Sequence, residues 1–196
     1  MLFGVAFVVV VGANLLWILP GLKQIGQNAS TFQLEVAERA KVQISDFFRD
    51  ISRAAKNVSF LLAEANEEPE AVLSRFLRDY AEVSEASLLD LEGKEKAKIS
   101  RSGLVLQEAL KDRSEDETFK KVLIRNDIVF SKVIFSSKLG PARPAGGPAV
   151  EIGLPVKAAN GDLSGIFLFQ VGLDFISDIV QGVKFGQSGR VIVLDQ

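Results

Sequence analysis

Residues 2–22 read LFGVAFVVVVGANLLWILPGL, and no charged residue occurs before Lys23. A run of this length is enough to cross a bilayer, since about 20 apolar residues suffice in helical form. In lipid only a helix or a closed barrel satisfies its own backbone, so the segment predicts a transmembrane helix. Asn14 is its one strongly polar residue, and Trp17 near one end suits a membrane interface. A cleaved signal peptide would have a basic start and a shorter apolar core, and neither is present. That reading and a buried soluble helix stay open behind the anchor. Flanking charge leaves orientation open: Lys23 and Arg39 follow the segment and no cation precedes it.

A second pattern follows. Ser30 and Gln33 have capping-box spacing, and from there to Asn66 the chain has neither glycine nor proline. Ala37, Ala40, Ile44, Phe47, Ile51, Ala54, Val58, Leu61 and Ala65 recur at alternating steps of three and four, a heptad seam. At 1.5 Å per residue the predicted stalk helix is roughly 50 Å long. Its alanine-rich first half suits pairing with a second copy, and its bulkier second half suits packing on a sheet.

Beyond residue 66 helical and strand signals alternate. Pro69 opens a helix running to about Tyr80, with Val72, Leu73, Phe76 and Leu77 on one face. ASLLDLEGKEKAKIS reads as a hairpin turning at Glu92 and Gly93, its second arm polar on one side as an edge strand should be. Ser114 and Glu117 suggest a capping box before a short helix through Phe119, Val122 and Leu123. Strands are expected at 128–136, 149–157 and 163–171, with a Gly/Pro surface loop at 138–148 and a turn at Asn160 and Gly161. In 149–157, Val150, Ile152, Leu154 and Val156 alternate with Glu151, Gly153, Pro155 and Lys157, which leaves Glu151 opposite the apolar row, towards solvent or a pocket. Helices set to one side of antiparallel hairpins give an α+β domain. A helix at 174–182 and a strand at 189–195 repeat the helix-then-strand ending Leu-Asp seen at 88–90, as if a second module began there and were cut short.

Composition narrows the chemistry. The chain has no histidine and no cysteine, so an imidazole base, a Ser-His-Asp triad, thiol catalysis, disulfides and thiolate or His-ligated metal sites are excluded. No acid–base constellation stands out. Gly186 and Gly189 lack the Lys-Ser/Thr and helix of a phosphate loop, and Asp90 and Asp195 end strands of different modules. The reading is therefore not an enzyme, with no cofactor and no metal. A net charge of −2 gives no field for nucleic acid.

Three stretches resemble the double Cache family of extracytoplasmic sensor domains: SLLDLEGKEKAKISR (first hairpin), PAVEIGLPVKAANGDLSGIFLFQVGLDFISDIV (fourth and fifth strands and the next helix) and KFGQSGRVIVLDQ (entry to the second module), where Arg190 replaces the usual aromatic. The resemblance covers most of 30–196. It implies a transmembrane helix (1–22), a stalk helix (23–66), a membrane-distal PAS-like module with an antiparallel sheet and flanking helices (67–173), and the truncated start of a proximal module (174–196). It also implies a small-molecule sensor in the periplasm or outside the cell, held in a bacterial inner membrane and dimeric through the stalk. The output expected is a histidine kinase; a nucleotide cyclase, chemoreceptor or diguanylate cyclase output stays open, as does a ligand-free structural module. In members that bind amines and amino acids an Arg-Trp-Tyr cluster lines the pocket, and here the single Trp lies in the apolar run. By position the resemblance makes Arg101 a candidate to hold an organic anion, and Ser131, Lys132 and Phe135 candidate pocket residues on the strand that usually lines the pocket. Glu151 joins them from its place opposite the apolar row, and Arg143 from its loop.

Overall fold

In a computed structural model, residues 34–64, 67–101, 103–104, 110–136 and 146–181 are described. The apolar run, the Ser30 cap, the 138–145 loop with Arg143, and the strand expected at 189–195 lie outside them. Among the described residues no helix is long and apolar enough to cross a membrane.

Helix α1 occupies 34–63. α2 follows at Pro69–Asp79, with the proline in its first turn where a missing N–H costs nothing. Then come β1 (Val83–Leu89), β2 (Glu95–Ser100), β3 (Gly103–Leu104), α3 (Glu117–Arg125), β4 (Val129–Phe130), β5 (Ile134–Ser136), β6 (Gly147–Lys157), β7 (Leu163–Gly172) and α4 (Asp174–Gln181). The strands form one antiparallel sheet in the order β3-β2-β1-β7-β6-β4, with β5 also on β6. This is the expected α+β arrangement.

Helices cover both faces of the sheet. On one, α1 and α2 bury Ile51, Ala55, Val58, Val72, Leu73, Phe76 and Leu77 against Ala86, Ala97, Ile99, Val150, Ile152, Leu154, Val156, Phe167 and Phe169. The Phe76 ring meets Phe167 and Phe169 edge-on at 5.5 and 5.1 Å, the geometry the ring quadrupoles favour. Each such side chain contributes about 1.5–3 kcal/mol on burial. On the other face α3 sets Phe119 and Val122 against Leu89, Val129, Ile166 and Leu168. There Gly153 admits the helix: a Cβ would come 2.7 Å from Val122 Cγ2 and 2.8 Å from Leu168 Cδ2.

Several expectations change. The strand expected at 128–136 is two short strands, because Ser131 to Val133 leave the ladder between β4 and β5. Ser114 does not cap α3. Asp116 is the N-cap, without a side-chain bond, and the Ser114 N–H is taken by Asp112 Oδ1 at 2.9 Å in a turn of its own. The polar side of β2 is not a solvated edge, since Glu95 and Lys98 are enclosed by neighbours described below. β6 is buried on both faces, so its alternation marks two environments, one of them polar and enclosed.

Candidate functional site

The face that carries α3 divides into halves. One half is the apolar seat of α3. In the other, strand register sets polar residues side by side: Ser100 opposite Glu85, Glu85 opposite Gln170, Gln170 opposite Glu151. Ser131 continues the row past Glu151. Its N–H donates to Glu151 O at 2.8 Å, and its Oγ accepts the Glu151 N–H at 2.9 Å. A polar row thus crosses the sheet, with Gln170 near its middle.

Each flank of Gln170 holds a cation shared by two carboxylates. Lys98 Nζ lies 3.1 Å from Glu85 Oε1 and 3.2 Å from Glu95 Oε1. Glu95 is fully enclosed and its remaining needs are met by Ser87 Oγ at 3.1 Å and the Lys111 N–H at 2.9 Å. On the other flank Arg113 Nη2 donates to Glu151 Oε2 at 2.6 Å and also pairs with Asp116, tying β6 to the start of α3. Burial by itself would lower the Arg113 pKa, but the carboxylates of Glu151 and Asp116 outweigh it and raise it. Gln170 Oε1 accepts from Ser84 Oγ at 3.2 Å and Ser136 Oγ at 3.1 Å. Ser84 reaches this face because β1 bulges between Val83 and Glu85.

The candidates from sequence separate. Glu151 and Ser131 meet in the row. Glu151 is 8% exposed, so its solvent-facing option is overturned, because Arg113 and α3 close over it. Arg101 serves another face. Its Nε donates to Val83 O at 2.8 Å, and Nη2 to Leu77 O and Tyr80 O at 2.6 Å each. The last two are carbonyls at the end of α2, beyond which no further turn of helix follows, and the first opens β1. Lys132 is exposed and Phe135 is 78% exposed, so neither joins the row. Sequence reasoning missed Glu85, Glu95, Lys98, Arg113 and Gln170. The one signal for them was the polar side of the β2 segment, read as edge protection. No group of three or more potential ligands for a metal occurs among the described residues.

No family model matches the chain, and no curated protein matches it in sequence. Solved structures do match. The extracellular domain of vpHK1S-Z8, a protein described as a histidine kinase, superposes with a TM-score of 0.61 at 17% identity, over 78% of this chain and 60% of that one. The ligand-binding domain of the amino acid chemoreceptor PctC of Pseudomonas aeruginosa PAO1, solved with GABA, gives 0.59 at 17% identity over 80% and 67%. The sensory domain of the Campylobacter jejuni chemoreceptor Tlp3 with isoleucine bound gives 0.57 at 12% identity over 74% and 60%. The chain has the fold of extracellular sensory domains, and it spans 60% of the length of the first of these.

Proposed function

We propose that this chain is the sensing part of a single-pass bacterial membrane receptor, outside the cytoplasm, with its ligand on the polar half of the sheet face that carries α3. The division is the one read from the sequence: anchor 1–22, stalk 23–66, distal module 67–173 and the opening of a proximal module from 174. A histidine kinase output is favoured, since vpHK1S-Z8 is among the similar structures; a chemoreceptor or cyclase output uses the same input. The protein has no catalytic role of its own in this stretch.

The row Glu85, Gln170, Glu151 carries this reading. A sheet face that only needed burial would be apolar throughout, as it is under α3, because enclosing charges costs desolvation energy that a hydrophobic surface avoids. The similar structures bind GABA and isoleucine, which makes a small polar molecule the natural occupant here. Binding shifts the receptor to the extent that the ligand prefers one of its states.

A thermal-shift screen of the purified chain with its proximal module, against amines, amino acids, organic acids and sugars, tests the reading. A ligand at 100 times its Kd adds about 2.7 kcal/mol and raises Tm visibly. A flat response from a folded protein favours the other reading, a structural module without ligand. One observation supports that alternative: every buried side-chain polar atom among the described residues already has a partner.

A further inference from the structure

The two charge networks beside Gln170 do not balance. Four carboxylates, those of Glu85, Glu95, Glu151 and Asp116, share two cations, Lys98 and Arg113. Each network therefore carries one excess negative charge. Glu95 and Glu151 are enclosed, while the Glu85 and Asp116 side chains are 29% and 37% exposed, and enclosed charge is costly unless it is paired.

The open valences converge. Glu85 uses Oε1 on Lys98 and Glu151 uses Oε2 on Arg113. The second oxygen of each has no partner among the described residues. Gln170, 9% exposed, has one amide atom bonded to Ser84 and Ser136 and the other without a partner. Serine hydroxyls donate to an amide oxygen or accept from its nitrogen, so the amide can turn either atom outward. Since all buried side-chain polar atoms among the described residues are paired, these three unpaired atoms still reach the open side. Glu85 and Glu151 both stand directly across from Gln170, which places their Cβ atoms about 10 Å apart, with the amide between them.

Resting on the sensor reading above, we infer that the group recognised on this face is a protonated amine, held by Glu85 and Glu151 over Gln170. An ammonium has three donors and no acceptor, which matches three outward acceptors when Gln170 presents its oxygen. It also neutralises excess charge that an organic anion would increase. Both cations of the networks are already shared between carboxylates, and the Arg101 guanidinium is turned to α2. The anion expected from the sequence finds no free cation in the row.

The test is a thermal-shift and calorimetric titration of the same protein with ethanolamine, 1,4-diaminobutane and glycine, against succinate, acetate and calcium chloride as contrasts. A saturable response to an amine-bearing probe, weakened about tenfold or more by Glu85→Gln and by Gln170→Met, is expected. Glu85→Gln leaves Lys98 its Glu95 partner, and Gln170→Met keeps the volume, so both variants should fold; circular dichroism checks this. A response to succinate, acetate or calcium with none to any amine overturns the inference and leaves the sensor reading standing. Amine binding indifferent to both substitutions overturns the site. Silence from every probe counts against both readings.

Discussion

Gly93 lies so close against Ser114 that a Cβ on it would come 2.5 Å from the Ser114 Cα and 2.6 Å from its nitrogen. Its φ of +86° is also a conformation that side chains resist. The Gly93 carbonyl accepts the Arg113 N–H at 2.8 Å, so the hairpin turn seats the residue on which the Glu151 network depends. Gly93→Ala is expected to cost about 2–3 kcal/mol or more in urea unfolding. Gly161, at φ +87° with nothing within 4 Å, supplies the control. Alanine there should cost only the backbone term, about 1–2 kcal/mol.

Arg101 separates structure from recognition. Arg101→Ala removes the guanidinium bonds to the Leu77, Tyr80 and Val83 carbonyls, of which Tyr80 O keeps the Val83 N–H at 3.1 Å, and a loss of about 2 kcal/mol in denaturant unfolding is expected. Binding of whatever ligand the screen finds should persist once the protein is folded. Binding abolished by Arg101→Ala, with stability intact, would return the ligand to the position expected from the resemblance.

Arg113 and Glu151 should couple. Arg113→Met leaves the Glu151 carboxylate enclosed without its cation, at an expected cost of about 3–5 kcal/mol. Adding Glu151→Met removes the stranded charge, so the double variant should be more stable than the first single one. A double-mutant cycle by urea unfolding measures this. Additive losses would show that the pair contributes nothing beyond its separate members.

The first hairpin should carry an acid-sensitive contribution. Asp90 feels some burial, which raises its pKa. The Lys96 ammonium at 2.9 Å and the Lys94 and Glu92 N–H groups outweigh this and hold it below 3.8. A depressed folded-state pKa means that the stabilisation is complete above 3.8 and lost as pH falls through the folded value. Asp90→Asn keeps the turn acceptor and drops the charge. Its melting temperature should therefore depend less on pH below 3.8 than that of the unchanged protein.

Ile51, Ala55 and Val58 are buried against the sheet, while Leu34 is 73% and Val42 48% exposed in the earlier turns of α1. Cysteines introduced at Ala40 and Ile44 should form intermolecular disulfides in membranes. Absence of a crosslinked dimer at both positions would remove the stalk as the dimer contact.

Much of the fold was legible because it rests on period and punctuation. The steps of three and four through Ile51 and Val58, Pro69 in the first turn of α2, and Gly93 at its turn each act locally, and each stands where expected. The site was not legible for a physical reason. Glu85, Lys98 and Glu151 have the sequence signature of a solvated strand face. Only partners from elsewhere in the chain, Arg113 beside Glu151 and the Lys98 pairing with Glu85 and Glu95, set them apart from one. Arg101 misled in the opposite sense. An arginine after a strand is equally fit for a ligand carboxylate or for carbonyls at a helix end, and the nearness of α2 decides between them.

β7 has no outer side. Phe169 lies in the α1 and α2 core, and Gln170, the next residue, lies in the polar row. Successive residues share one peptide plane, so Gln170 on the polar row and Phe169, whose ring lies 5.1 Å from that of Phe76, are neighbours across a single backbone. The thickness of one strand is the entire distance between the polar row and the helices.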